Sequence, residues 1–354
     1  MKETEVPQSA LPTNPARITV PPGLDNVIVA TTHISDVDGA SGRLTYRGVA
    51  ISDVVERYPT WTALVPWLVT GLPDAEPAAW TDGPPRQIPG TADPMARLAM
   101  LVWAAGDGAV LDTPLESAAF VQSLPAQYAR LVGRGAGKPE DPARAFLLAM
   151  TGHAPTPAEV SALNAYWVLA AEHSLNASTF AVRVAASTGA RLPEALAAGI
   201  ATLSGPLHGG APTGVLSQLA ALEQEADLEG ALWRLLERGE RLMGFGHRVY
   251  RTEDPRAARL RGVLHTLGGA GGAEHASRVE QAALAVLARW KPERPLAVNV
   301  EFYAALVLSA LGLAAPDCPV TFACARLAGW TAHYWEQRAT GRLIRPLARY
   351  TPSP

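Results

Sequence analysis

Near the start of the chain, apolar and polar residues alternate in two short stretches, whereas beyond Ile51 apolar residues recur at three- and four-residue intervals. The alternation predicts strands around Val27 to Ile34 and Arg43 to Tyr46, with Asp38-Gly39 as the turn between them. The longer period predicts a succession of amphipathic helices. Thr156-Pro157-Ala158-Glu159 is a helix start: a capping threonine, proline in the first turn and glutamate at the third position. Val160, Leu163 and Trp167 then continue at helical spacing towards Thr188, which predicts one long helix with His173 inside it. Gly189 and Pro193 end that helix, and Glu194 to Leu203 predicts another. Asp254-Pro255 repeats the start signal, placing Arg256 in the first turn of a helix that ends near Gly268. Gly268 to Gly272 reads as a flexible loop and Pro73 to Pro94 as a proline-rich surface connection. The expected fold class is mostly α.

Composition narrows the field. The chain has 354 residues, 48% hydrophobic and 18% charged, enough for a large core or two domains and unlike a disordered chain. Net charge is −3 without a basic block, so nucleic acid is not an expected partner. Positive charge rests on arginine, since Lys2, Lys138 and Lys291 are the only lysines. Cys318 and Cys324 are too few for a disulfide framework, and they read as buried thiols in a reducing compartment. Met1 to Arg17 lacks the apolar centre of a secretory signal, and the apolar run Phe302 to Ala315 is too short to span a bilayer. A soluble cytoplasmic protein is expected, with the Asn176-Ala177-Ser178 sequon unused.

Candidate chemistry concentrates in a few motifs. In Gly205-Pro206-Leu207-His208-Gly209-Gly210, glycines allow close backbone approach and His208 has the chemistry to donate to a carbonyl turning into an enolate, or simply to cap a helix. His247 follows Gly244 and Gly246, and Arg256 lies at the helix start downstream, a pairing suited to a small oxyacid. Arg251 between them is placed to meet a phosphate or a second carboxylate, or to belong to a solvated basic loop. His173, beside Glu172 and Asn176, reads as a hydrogen-bonded core residue or a ligand. No histidine spacing suggests a metal: 35 residues separate His173 from His208 and 39 separate His208 from His247. Glu301 interrupts an apolar segment and is either at an element's end facing water or a base in a cleft. Arg326, within an apolar helix, needs an anionic partner. Arg345 reads as an ordinary surface residue as readily as a binding one.

Together these motifs resemble the citrate synthase family, from about Ile34 to Arg349. The segments from Ser35 to Gly39 and from Leu44 to Gly48 are similar to its N-terminal signature. Glu172 to Thr179 resembles its first histidine motif, the His208 and His247 motifs are the most specific, and Ala328 to His333 closes the pattern. The resemblance implies condensation of acetyl-CoA with oxaloacetate followed by thioester hydrolysis, a reaction of the tricarboxylic acid cycle. It assigns His208 and Glu301 to the acid-base pair and His247 to polarising the ketone. It assigns His173, Arg256, Arg326 and Arg345 to oxaloacetate, with Arg345 reaching from the other subunit, and Arg251 to coenzyme A. It also implies no permanently bound cofactor, the coenzyme A thioester being substrate, and a homodimer. Each chain would form a large helical domain (1–209 and 316–354) and a small one (210–315). Two departures stand out: Glu301 where the family usually has aspartate, and Ala211-Pro212-Thr213 in place of Ala-Asn-Glu, which predicts a shifted His208 loop. A 2-methylcitrate synthase using propionyl-CoA, and a weakly active regulatory relative, are the alternatives.

Overall fold

The first alternation forms a hairpin, one strand of which lies later in the chain than its periodicity predicts. A computed structural model describes residues 20–24, 26–76, 88–132, 141–246, 250, 252–268, 270–293, 296–348 and 350. Strands β1 (Ser35–Asp38), β2 (Arg43–Tyr46) and β3 (Val49–Ala50) form an antiparallel sheet, Ser35 opposite Tyr46 and Asp38 opposite Arg43. Asp38 accepts from the N–H groups of Ala40 and Ser41 and from the Ser41 hydroxyl, which shapes the turn. The expected strand over Val27 to Ile34 is absent: that stretch has no strand partner among the described residues. The described residues up to Thr31 form one compact unit and the described residues from Thr32 onward another.

Fourteen helices follow among the described residues. They are α1 (Ile51–Arg57), α2 (Trp61–Thr70), α3 (Pro94–Gly106), α4 (Pro114–Leu131), α5 (Pro142–Thr151), α6 (Pro157–Ala170) and α7 (Ala177–Ser187). Then come α8 (Leu192–Leu203), α9 (Ala211–Leu222), α10 (Leu228–Glu237), α11 (Pro255–Thr266), α12 (Ala270–Trp290), α13 (Val300–Ala310) and α14 (Cys318–Thr340). Five of them open on proline behind an aspartate or threonine cap: Asp93, Thr113, Asp141, Thr156 and Asp254. The cap side chain satisfies an early N–H and proline occupies a place where no donor is needed. None of these helices is long and apolar enough to cross a membrane.

Two expectations about helix ends are corrected. The helix over Thr156 to Thr188 is broken: α6 stops at Ala170, and α7 restarts behind Asn176, whose Oδ1 accepts from Thr179 N at 3.1 Å. His173 therefore lies in the break rather than in a helix. Tyr46 holds the break open, its hydroxyl donating to the carbonyl of Glu172 at 2.8 Å, and Ser174 turns the chain with φ 51°. The glycine run before Ala273 is not a loop, because α12 starts at Ala270 and includes Gly271 and Gly272. Burial of Ala276, Val279, Ala283, Val286 and Leu287 further along outweighs the poor helix propensity of glycine.

The buried axis is α14, closed in on nearly every side from Cys318 to Tyr334. Trp61 and Trp167 donate indole N–H bonds of 3.0 and 3.1 Å to the carbonyls of Ala325 and Thr321, fixing α2 and α6 against it. Gly329 leaves room for Glu172: a Cβ there would lie 2.2 Å from Glu172 Oε2 and 2.4 Å from the Ala171 carbonyl. Gly329→Ala is expected to lower stability by about 1–3 kcal/mol, read as a drop in Tm on thermal unfolding.

Candidate active site

A short stretch of paired backbone brings two distant motifs together. Phe245 bridges Val298, with Gly246 N donating to the Ala297 carbonyl at 2.8 Å and Asn299 N to the Gly244 carbonyl at 3.0 Å. Gly244 and Gly246 have φ of 85° and 79°, and a Cβ on Gly244 would lie 2.8 Å from Phe302. Only glycine tolerates both the left-handed turn and that approach. The segment ending at Gly246 is thereby fastened to the start of α13, whose first turn carries Glu301. Glu301 is half-buried, and its Oε2 is buried without a hydrogen-bond partner. Burial pushes the Glu301 carboxyl up, Arg256 pulls it down, and Asp254 pushes it up again.

Arg256 sits where the sequence predicts, in the first turn of α11, and is buried. Asp254 is both cap and counter-ion. It accepts from Arg256 N at 3.0 Å, from Nε at 3.0 Å and from Nη2 at 2.7 Å. Burial works against the Arg256 charge, but Asp254 first, then Tyr250 and Glu301, more than restore it. Arg326 on α14 donates from Nε to the Ala170 carbonyl at 2.8 Å and lies 4.8 Å over the ring of Phe322. Burial weakens its charge; Glu172 and Tyr46 support it and Arg256 opposes it.

His208 lies in the turn between α8 and α9, where its N–H donates to the Gly205 carbonyl at 2.9 Å. Gly209 is obligatory there, since a Cβ would lie 2.4 Å from the Leu203 carbonyl. The imidazole Nε2 is 2.8 Å from Ser178 Oγ, and the ring meets Phe322 edge-on at 6.4 Å. Burial, and next the charge of Arg326, push its pKa down to about 4. Pro212 falls in the first turn of α9, where an N–H has no helical partner, so the proline costs no helical hydrogen bond. Thr213 Oγ1 donates to the Ala315 carbonyl at 2.9 Å.

Arg326 acts on His208 and Glu301 alike, and on Glu172 and Arg256 besides, so these groups occupy one electrostatic neighbourhood. His173 joins it through Tyr250, whose hydroxyl is 3.2 Å from its Nε2. Sequence reasoning misses Tyr250, Asp254 and Phe322 as site residues. Tyr250 lies inside the His247 motif and Asp254 was visible as a helix start, whereas Phe322 stands one helical turn before Arg326. His247 and Arg251 lie outside the described residues. Arg345 is exposed, beyond the end of α14. Among the described residues, no group of three or more His, Cys, Asp or Glu is arranged to hold a metal. Two buried guanidiniums, an imidazole with little tendency to charge and a carboxyl that resists ionisation suit a small dianion and the removal of a proton beside it.

Comparison with known proteins agrees with this chemistry. The family described as "Citrate synthase, C-terminal domain" matches residues 23–347. A Mycobacterium tuberculosis protein named "Putative citrate synthase 2" is 43% identical, covering 94% of this chain and 93% of its own. A Shewanella oneidensis 2-methylcitrate synthase is 37% identical, covering 58% of this chain and 54% of its own. The Thermoplasma acidophilum citrate synthase, solved as a ternary complex with carboxymethyl coenzyme A and oxaloacetate, superposes with a TM-score of 0.79 at 25% identity. That match covers 93% of this chain and 95% of the other.

The His208 ring fixes a pH dependence. An unfolded chain protonates it near 6.5, the folded chain only near 4, so stability is fully present above 6.5 and drains as pH falls through that window. Glu301 acts with the opposite sign, because a raised carboxyl favours the folded state once protonated. His208→Gln should flatten the fall in Tm between pH 6.5 and 4, measured by thermal unfolding across that range.

Proposed function

The chain belongs to the citrate synthase family, and on that premise we propose that it condenses acetyl-CoA with oxaloacetate and hydrolyses the product thioester to citrate and coenzyme A. The observation that carries this reading is the packing of the His208 ring and the Arg326 guanidinium on one Phe322 ring, with the charge of Arg326 reaching Glu301 and Arg256 as well. Glu301 takes a proton from the thioester's methyl group. Its carboxyl is unsolvated at Oε2, and a base without a water shell to shed needs little reorganisation. His208 donates a hydrogen bond to the thioester oxygen as the enolate forms. Ser178 Oγ donates to Asn176 Oδ1 at 2.8 Å and lies 2.8 Å from His208 Nε2, which orients the ring.

The enolate carbon then attacks the ketone of oxaloacetate, which the resemblance assigns to His247 for polarisation. Arg256, Arg326 and His173 bind the acid's oxygens, with Arg345 supplied across a homodimer interface and Arg251 on the coenzyme. Water cleaves the C–S bond to release citrate and the thiol. The homodimer is supported by the apolar residues flanking Arg345: Leu343, Leu347 and Tyr350 are 57%, 71% and 86% exposed. The division into 1–209 with 316–354 and 210–315 is supported by the Thr213–Ala315 bond, which ties the two crossing points together. A reducing cytoplasm suits Cys318 and Cys324, both buried free thiols pushed up by burial.

Propionyl-CoA is the second substrate reading, favoured by the Shewanella relative. Thiol release assayed with acetyl-CoA and propionyl-CoA is expected to require oxaloacetate and to favour acetyl-CoA. Faster release from propionyl-CoA would transfer the assignment to 2-methylcitrate. Calorimetric binding of oxaloacetate without release from either thioester would mark a regulatory binder. Glu301→Gln is expected to cut kcat by roughly a hundredfold or more without lowering Tm, because it removes a buried charge along with the base.

A further inference from the structure

Behind the cluster runs a buried polar chain that the proposed chemistry does not use. Arg183 on α7 donates from Nε to His333 Nδ1 at 2.9 Å and from Nη1 to Gln337 Oε1 at 3.2 Å, and its Nη2 pairs with Glu336. A guanidinium always donates, so Nδ1 of His333 accepts. The ring proton is then on Nε2, which donates to Glu172 Oε1 at 3.0 Å. Ser35 Oγ donates to the same oxygen at 2.8 Å and accepts from Ser174 N at 3.0 Å. The chain thus ends on both sides of His173, at Glu172 before it and Ser174 after it. Glu172 Oε2 is buried without a partner and packs against Gly329, about one turn along α14 from Arg326, whose charge the carboxylate supports.

We propose that Arg183, His333, Glu172 and Ser35 are positioning residues for oxaloacetate: together they aim His173 and steady Arg326. Polarity separates this from mere filling of space. The group at position 333 accepts from a cation on one side and donates to an anion on the other, with all three residues buried. An apolar side chain of similar size can do neither and would strand both charges. Burial works to raise the Glu172 carboxyl, but His333, Arg326 and Ser35 outweigh it and keep the charge in place. The expected effect is larger on the four-carbon acid, because the chain hydrogen-bonds on both sides of His173 and to neither His208 nor Glu301.

The inference rests on assigning His173 and Arg326 to oxaloacetate; absence of oxaloacetate-dependent thiol release in the unaltered protein would sink that assignment separately. The test compares His333→Gln, which can accept and donate at once, with His333→Leu. Oxaloacetate Kd is read by calorimetry, and KM and kcat by thiol release. His333→Gln should stay within about threefold of the parent, while His333→Leu should weaken oxaloacetate binding roughly ten- to a hundredfold. KM for acetyl-CoA at saturating oxaloacetate should move less than about twofold in both. Equal oxaloacetate affinity in the two variants, or parallel rises in both KM values, overturns the proposal. If His333→Leu does not fold, Ser35→Ala decides: a selective loss of oxaloacetate affinity supports the chain, and unchanged affinity refutes it.

Discussion

Two guanidiniums buried near one another in a helical core repel, and much of the polar detail around Arg256 and Arg326 answers that repulsion. Each has its own local compensation. Asp254 grips Arg256 through two nitrogens while capping the helix that carries it. Arg326 has no comparable fork; it rests on a backbone carbonyl, an aromatic face and the nearby charge of Glu172. The first cation is thus locked, and the second is held by softer contacts. A dianion entering between them would meet positive charge whose desolvation was completed on folding, which is the condition for strong recognition of a small acid.

The same arrangement explains the condition of His208 and Glu301. Positive charge close to His208 adds to burial in disfavouring a second proton on the ring, so it remains a hydrogen-bond donor of modest acidity. Glu301 experiences both signs, attracted by the arginines and opposed by Asp254, and burial decides the balance. Its side chain starts from a helix end fixed by backbone bonds to Gly244 and Gly246.

Much of this was legible in the sequence where a residue acts on its own neighbours. The caps at Thr156 and Asp254 announced their helices because a cap works within three residues of itself. The break at His173 was not legible, since the apolar period runs through it and what opens it is a tyrosine hydroxyl far away in sequence. The helical glycines of α12 hid for a related reason: packing later in the helix supplies what local propensity withholds. Among the site residues, Arg256, Arg326, His208 and Glu301 were found as charges or imidazoles in unusual company. Asp254 and Glu172 looked like ordinary punctuation and an ordinary helix charge, because only the fold shows which cation each one faces.

The bridge between Phe245 and Val298 has a mechanical corollary. Two backbone bonds at Gly244 and Gly246, and a third from the Asn299 side chain to the Gly246 carbonyl, weld the glycine turn and the helix bearing the carboxylate into a single lever. Any breathing that admits or expels a bulky coenzyme must swing this lever whole or leave it still, so the spacing within it is insensitive to how widely the cleft gapes. Alignment between lever and His208 is the quantity that such motion can vary.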